Sequence, residues 1–179
     1  MPLSAAPSRC AAVASQTCCD ARPLRVVRAT QPGDIVQCWF PQDKFAAPGP
    51  KSRPALVMRV EEFDVAGQMQ ADVTIAYGTS TIAPVRAGQF VLPCLHAVAG
   101  LAHDTKFDFT NQCALPFNST WFCAPPGQAA TAPPRRGRLP LELPEIKKAF
   151  IAAHNAATSP VNLPKPQPSL ARPVRKTKN

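Results

Sequence analysis

Apolar and polar positions alternate in short runs between about residues 33 and 122, and hardly anywhere else in the chain. Residues 33–40, GDIVQCWF, read as a Gly-Asp turn running into a strand with Ile35, Gln37 and Trp39 on one face. Residues 41–51, PQDKFAAPGPK, carry three prolines and a glycine and predict an exposed loop. Ala55–Val60 is a second strand, with Arg53 and Pro54 at its mouth. Residues 61–70, EEFDVAGQMQ, keep no period and predict a turn-bearing connection. A third strand over 71–80 alternates Val73, Ile75 and Tyr77, while GQFVLPC (88–94) and TKFDF (105–109) supply a fourth and a fifth. Residues 115–122, LPFNSTWF, are expected to pack across one end. Five or so short strands within about 95 residues favour a small all-β barrel over a sandwich of seven strands.

One helix is predicted over 141–157, LELPEIKKAFIAAHNAA, from Ile146, Ala149, Phe150 and Ala153 at helical spacing. Pro144 suits its first turn, Glu145 its positive end, and Pro160 closes it. The expected organisation is a disordered extension over 1–30, a barrel over 31–123, a Pro-rich linker over 124–140, the helix, and a disordered basic Pro-rich tail over 158–179.

Composition sharpens that division. The chain has 179 residues and 22 prolines, about twice average usage, and 11 of them follow residue 124. Residues 1–30 hold four basic and one acidic residue, 31–134 six and eight, and 135–179 ten and two, which together give the net charge of +9. A near-neutral domain therefore precedes a basic C-terminal third, and the asymmetry favours a polyanionic partner such as nucleic acid. Seven cysteines without a CxxC pair fit neither a zinc ribbon nor a disulfide framework, so a reducing compartment is expected. No stretch approaches the roughly 18 apolar residues of a membrane span. The apolar run near the N-terminus is also shorter than the ~7 residues a signal peptide needs. The expectation is a cytoplasmic protein without a membrane partner.

Arg53 poses the chemical question. It could be an ordinary charge at a sheet edge, or a charge that a rigid strand end presents to a ligand. Gly33-Asp34-Ile35-Val36, then Arg53-Pro54-Ala55-Leu56-Val57, then Val73-Thr74-Ile75-Ala76-Tyr77-Gly78-Thr79-Ser80 follow one another in an order and spacing that resemble the PemK/MazF-like toxins, over about residues 31–122. The resemblance implies an SH3-like barrel of about five to seven strands that forms a homodimer. It also implies the toxin component of a type II toxin–antitoxin system: a growth-inhibiting endoribonuclease that cleaves single-stranded mRNA without metal or cofactor. The implied partners are RNA, a cognate antitoxin and, in complex with the antitoxin, operator DNA.

By the same resemblance Arg53 and Thr79 are the catalytic residues, and Ser80, Lys51, Lys44 and Asp34 are candidates for substrate binding. The residue types suit the chemistry. Cleavage by the RNA's own 2′-hydroxyl must stabilise a charged phosphorane, and a guanidinium forks onto two phosphate oxygens at every working pH. A threonine hydroxyl adds one more positioned donor. The competing expectation is a non-catalytic SH3-like module that binds nucleic acid or protein through its loops and tail.

Overall fold

The computed structural model describes residues 30–41, 47–95 and 97–159. The first strand, β1 (Asp34–Cys38), is buried along its whole length. Alternate side chains of a strand face opposite ways, so Ile35 enters one hydrophobic cluster while Val36 and Cys38 enter another. The sheet is therefore covered on both faces at its centre. β2 (Arg53–Val65) and β3 (Gln68–Thr79) follow, then β4 (Gln89–Leu92), a short 3₁₀ turn at Ala97–Ala99, β5 (Thr105–Pro116), β6 (Arg135–Arg138) and the helix α1 (Pro144–Thr158). All strand pairings are antiparallel, in the order β4-β5-β3-β2-β1-β6. The protein is mainly β with one helix, as expected.

α1 covers the first cluster. Ile146 and Ala153 are buried in it, and the Phe150 ring meets Phe109 edge-on at 5.2 Å and Phe90 at 6.4 Å. Of the four predicted positions, Ala149 alone stays exposed. Pro144 does stand in the first turn, while Pro160 lies outside the described residues. The second cluster is closed by the turn over 117–122, where the Phe117 and Phe122 rings lie 4.9 Å apart and Trp39 N–H donates to the Trp121 carbonyl at 2.8 Å.

Two expectations change. The connection over 61–70 is an extension of the β2–β3 ladder, which stays paired out to Val65 and Gln68. Ala66 and Gly67 turn the chain with φ of 53° and 81°, and positive φ at both central residues is what a tight hairpin turn requires. Every residue from Glu61 to Gln70 is exposed, so no buried face imposed a period there. The stretch 124–140 is more than a linker, because β6 pairs with β1 inside it. Its sequence, Arg-Arg-Gly-Arg, has no apolar alternation; backbone pairing and an Arg135–Asp34 ion pair hold it instead. The N-terminal extension and the basic tail beyond Ser159 lie outside the described residues.

Candidate functional site

Arg53 opens β2 opposite Cys38, the last residue of β1, and Pro54 stands opposite Gln37. At the far end of β3, Gly78 lies against the Pro54 carbonyl and within 3.0 Å of the Phe107 ring, measured from where a Cβ would be. This close approach sets Thr79 beside the mouth of β2. The result is a cleft of about 120 Å³ lined by Lys51, Arg53, Thr79, Ser80, His103 and Arg136, among others. Four residues singled out from the sequence, Arg53, Thr79, Ser80 and Lys51, thus converge on one cleft.

Two of its residues carried no sequence signal. Arg136 reaches the cleft through a bulge: Ile35 pairs with Gly137 and Val36 with Arg135, so Arg136 is the extra residue on β6. A bulge re-aims a side chain, and this guanidinium donates from Nε to the Gly100 carbonyl at 3.0 Å and from an η nitrogen to Gln37 Oε1 at 2.9 Å. Gln37 Nε2 in turn donates to Ser52 Oγ at 2.9 Å, and Ser52 is hydrogen-bonded to the Cys123 thiol. Burial lowers the Arg136 pKa, but a guanidinium stays charged at working pH. His103 arrives on the loop before β5, with its side chain exposed and its backbone carbonyl accepting from Thr105 Oγ1 at 2.9 Å.

The electrostatics are one-sided. Among the described residues no carboxylate lines the cleft. Among the described residues the ion pairs are Arg59–Glu61 and Arg135–Asp34, so neither Arg53 nor Arg136 has a carboxylate partner there. Thr79 Oγ1 accepts from the Thr81 N–H at 3.2 Å, which leaves its own O–H to donate elsewhere. Uncompensated cations beside hydroxyl donors, partly shielded from water, form a site for an anion the size of a phosphate. Among the described residues no group of three or more His, Cys, Asp or Glu is placed to hold a metal ion.

A second cleft, about 320 Å³, adjoins the first and shares Lys51 and Arg53 with it. Phe40, Tyr77 and Asn111 line it, with two prolines. Arg53 lies over the Tyr77 ring, 5.7 Å from its centre, and the Phe40 ring meets Tyr77 edge-on at 5.1 Å.

Asp34 does not join these residues. It is buried, its Oδ2 accepts from the Gln31 N–H at 2.9 Å, and its Oδ1 accepts from Arg135 Nε at 3.1 Å. A carboxylate so engaged fixes the turn into β1 and the docking of β6, and it lines neither cleft. Lys44 lies outside the described residues. No protein-family model and no curated protein matches this chain.

Proposed function

We propose that this chain is an endoribonuclease of the toxin type that cleaves single-stranded RNA through the substrate's own 2′-hydroxyl. The observation that supports this reading is the convergence of Lys51, Arg53 and Arg136 with Thr79 and Ser80 on a cleft that no carboxylate lines among the described residues. In the reaction the 2′-oxygen attacks phosphorus and the bond from phosphorus to the 5′-oxygen breaks, leaving a 2′,3′-cyclic phosphate and a 5′-hydroxyl. The forked donors of Arg53 and Arg136 hold the non-bridging oxygens as charge builds on them, with Lys51 as a further point charge. Thr79 donates to the same phosphate. His103, the imidazole lining the cleft, is in this reading the group that takes the 2′-proton or returns one to the 5′-oxygen.

Among the described residues the four cysteines, Cys38, Cys94, Cys113 and Cys123, form no disulfide with one another, which suits a reducing, cytoplasmic setting. Among the described residues no helix is long and apolar enough to cross a membrane. The cognate antitoxin in this reading neutralises the toxin by laying an acidic segment over the cationic cleft, the pair together binding operator DNA. A homodimer would set two clefts along one RNA strand.

The test is incubation of the purified full chain with single-stranded RNA in chelator, followed by mapping of the ends. Products with 2′,3′-cyclic phosphate and 5′-hydroxyl ends are expected. Binding of RNA that stays intact would identify the non-catalytic module instead, and 3′-hydroxyl ends would refute the 2′-hydroxyl route.

A further inference from the structure

The second cleft has a chemistry different from the first, and the strand register explains how it is built. On β5, Asp108 pairs with Tyr77 and Gln112 pairs with Ala76. Neighbouring residues of β3 thus face residues four apart on β5, and the three between are out of register. An odd insertion flips the strand: Phe107 and Phe109 face the first cluster, whereas Cys113 and Leu115 pack on the second. The bulge is held by Asp108 Oδ1, which accepts from the Thr110 N–H at 2.9 Å and its hydroxyl at 2.6 Å. Gln112 Nε2 donates to the Phe109 carbonyl at 2.6 Å across it. Phe109 is anchored in the core, and Asn111 is left exposed, lining the cleft beside Tyr77.

The lining then divides by chemistry. Phe40, Tyr77 and the prolines give flat apolar surface, and Tyr77 is in contact with both the Phe40 ring and the Arg53 guanidinium. Asn111 supplies one acceptor and two donors on a short side chain. Lys51 and Arg53 form the boundary with the anion cleft. Flat apolar surface, a guanidinium plane and a single amide next to a phosphate site fit a planar heteroaromatic ring carrying edge donors and acceptors. A volume of about 320 Å³ lies at the small end of the ligand-cleft range, which begins near ~300 Å³, as suits one base.

We propose that this cleft is a nucleobase subsite. It holds the unpaired base of the nucleotide next to the phosphate in the first cleft, with Asn111 reading the base edge. A base paired and stacked in a duplex offers neither a free face nor its Watson–Crick edge, so the subsite also selects single strands. The inference rests on the phosphate-site reading above and adds the specificity element to it.

The test compares inorganic phosphate with the four ribonucleoside 3′-monophosphates by calorimetric titration of the full chain. At least one nucleotide is expected to bind about tenfold or more tighter than phosphate, the scale that stacking of one base supplies. Asn111→Ala is exposed enough to leave the fold intact, and should flatten the ranking among the four bases while phosphate affinity stays constant. Tyr77→Leu should reduce the gain over phosphate for all four. Nucleotides that bind no tighter than phosphate, or a base ranking that survives Asn111→Ala, would overturn the subsite while the anion cleft stands. Failure of phosphate and nucleotides alike to bind would remove the functional reading as well.

Discussion

Arg53 is half-buried and stacked on an aromatic face, with no carboxylate near it among the described residues. A surface arginine replaced by alanine usually changes stability by no more than about 0.5 kcal/mol, and the cation–π contact adds roughly 0.5–1 kcal/mol at such a site. Arg53→Ala should therefore stay folded while RNA cleavage falls on the order of a hundredfold or more, as for loss of one pre-organised donor at a developing anion. Arg53→Lys should rescue little, because a point charge lacks the fork. Thr79→Ala should lose less, since a neutral hydroxyl contributes less than a charge. Single-turnover rates set beside thermal melting of the same proteins check all three, and a folded Arg53→Ala with full activity would return Arg53 to a sheet-edge charge. Gly78 provides a second residue test. A Cβ there collides with the Pro54 carbonyl, so Gly78→Ala must push β3 away from β2 and separate Thr79 from Arg53. Reduced melting temperature together with reduced cleavage is expected, and unchanged values of both would show that the strands yield freely.

At the scale of elements, the protein needs more chain than its alternating segment. Leu139, Ile146 and Ala153 are buried in the first cluster, and Phe150 packs on it. Burying a large apolar side chain contributes about 1.5–3 kcal/mol, against a whole-domain stability of about 5–15 kcal/mol. A chain ended after Cys123, which lacks β6 and α1, should therefore fail to give a cooperative melt. One ended after Ser159 should melt like the full chain. The β2–β3 arm is the opposite case: it is exposed from Glu61 to Gln70, and shortening it by two residues on each strand should leave the melting temperature within a few degrees.

The whole molecule couples its core to pH through buried thiols. Desolvation pushes Cys113 from its ordinary value near 9 up to about 11, and raises the more deeply buried Cys38 further, with Cys113 and Cys123 adding repulsion. The folded state thus favours the neutral thiols. Their contribution is complete below pH 9 and is lost as pH climbs through 9 and past 11. The melting temperature should fall across that window, and fall less steeply in Cys113→Ala; equal slopes would place the alkaline sensitivity elsewhere. The basic residues after Ser159 act at the same scale. If they touch phosphate, ending the chain there should flatten the slope of log affinity against log salt by about 0.7 per lost contact with single-stranded RNA. An unchanged slope would mean that the tail does not meet the backbone.

What the sequence determined by itself is what local periodicity and residue chemistry encode. Alternation at Val73 and Ile75 or Phe107 and Phe109 reports a strand with a buried face, and Ile146, Phe150 and Ala153 report a helix with a buried stripe. Arg53 stood out as a charge at the mouth of an apolar run, whereas Thr79, and a catalytic role for either residue, came only from the family resemblance. β6 was not legible, since its strand state comes from pairing with β1 and not from its own side chains. Nor was the β2–β3 arm, exposed on both faces. The site's composition was decided only in three dimensions. The Arg136 bulge depends on the register of β6 against β1, and the Asn111 bulge on that of β5 against β3. Register is a relation between segments far apart in the chain, so no window of sequence contains it. The same holds for Asp34, whose carboxylate was drawn away from the cleft by an arginine 101 residues later.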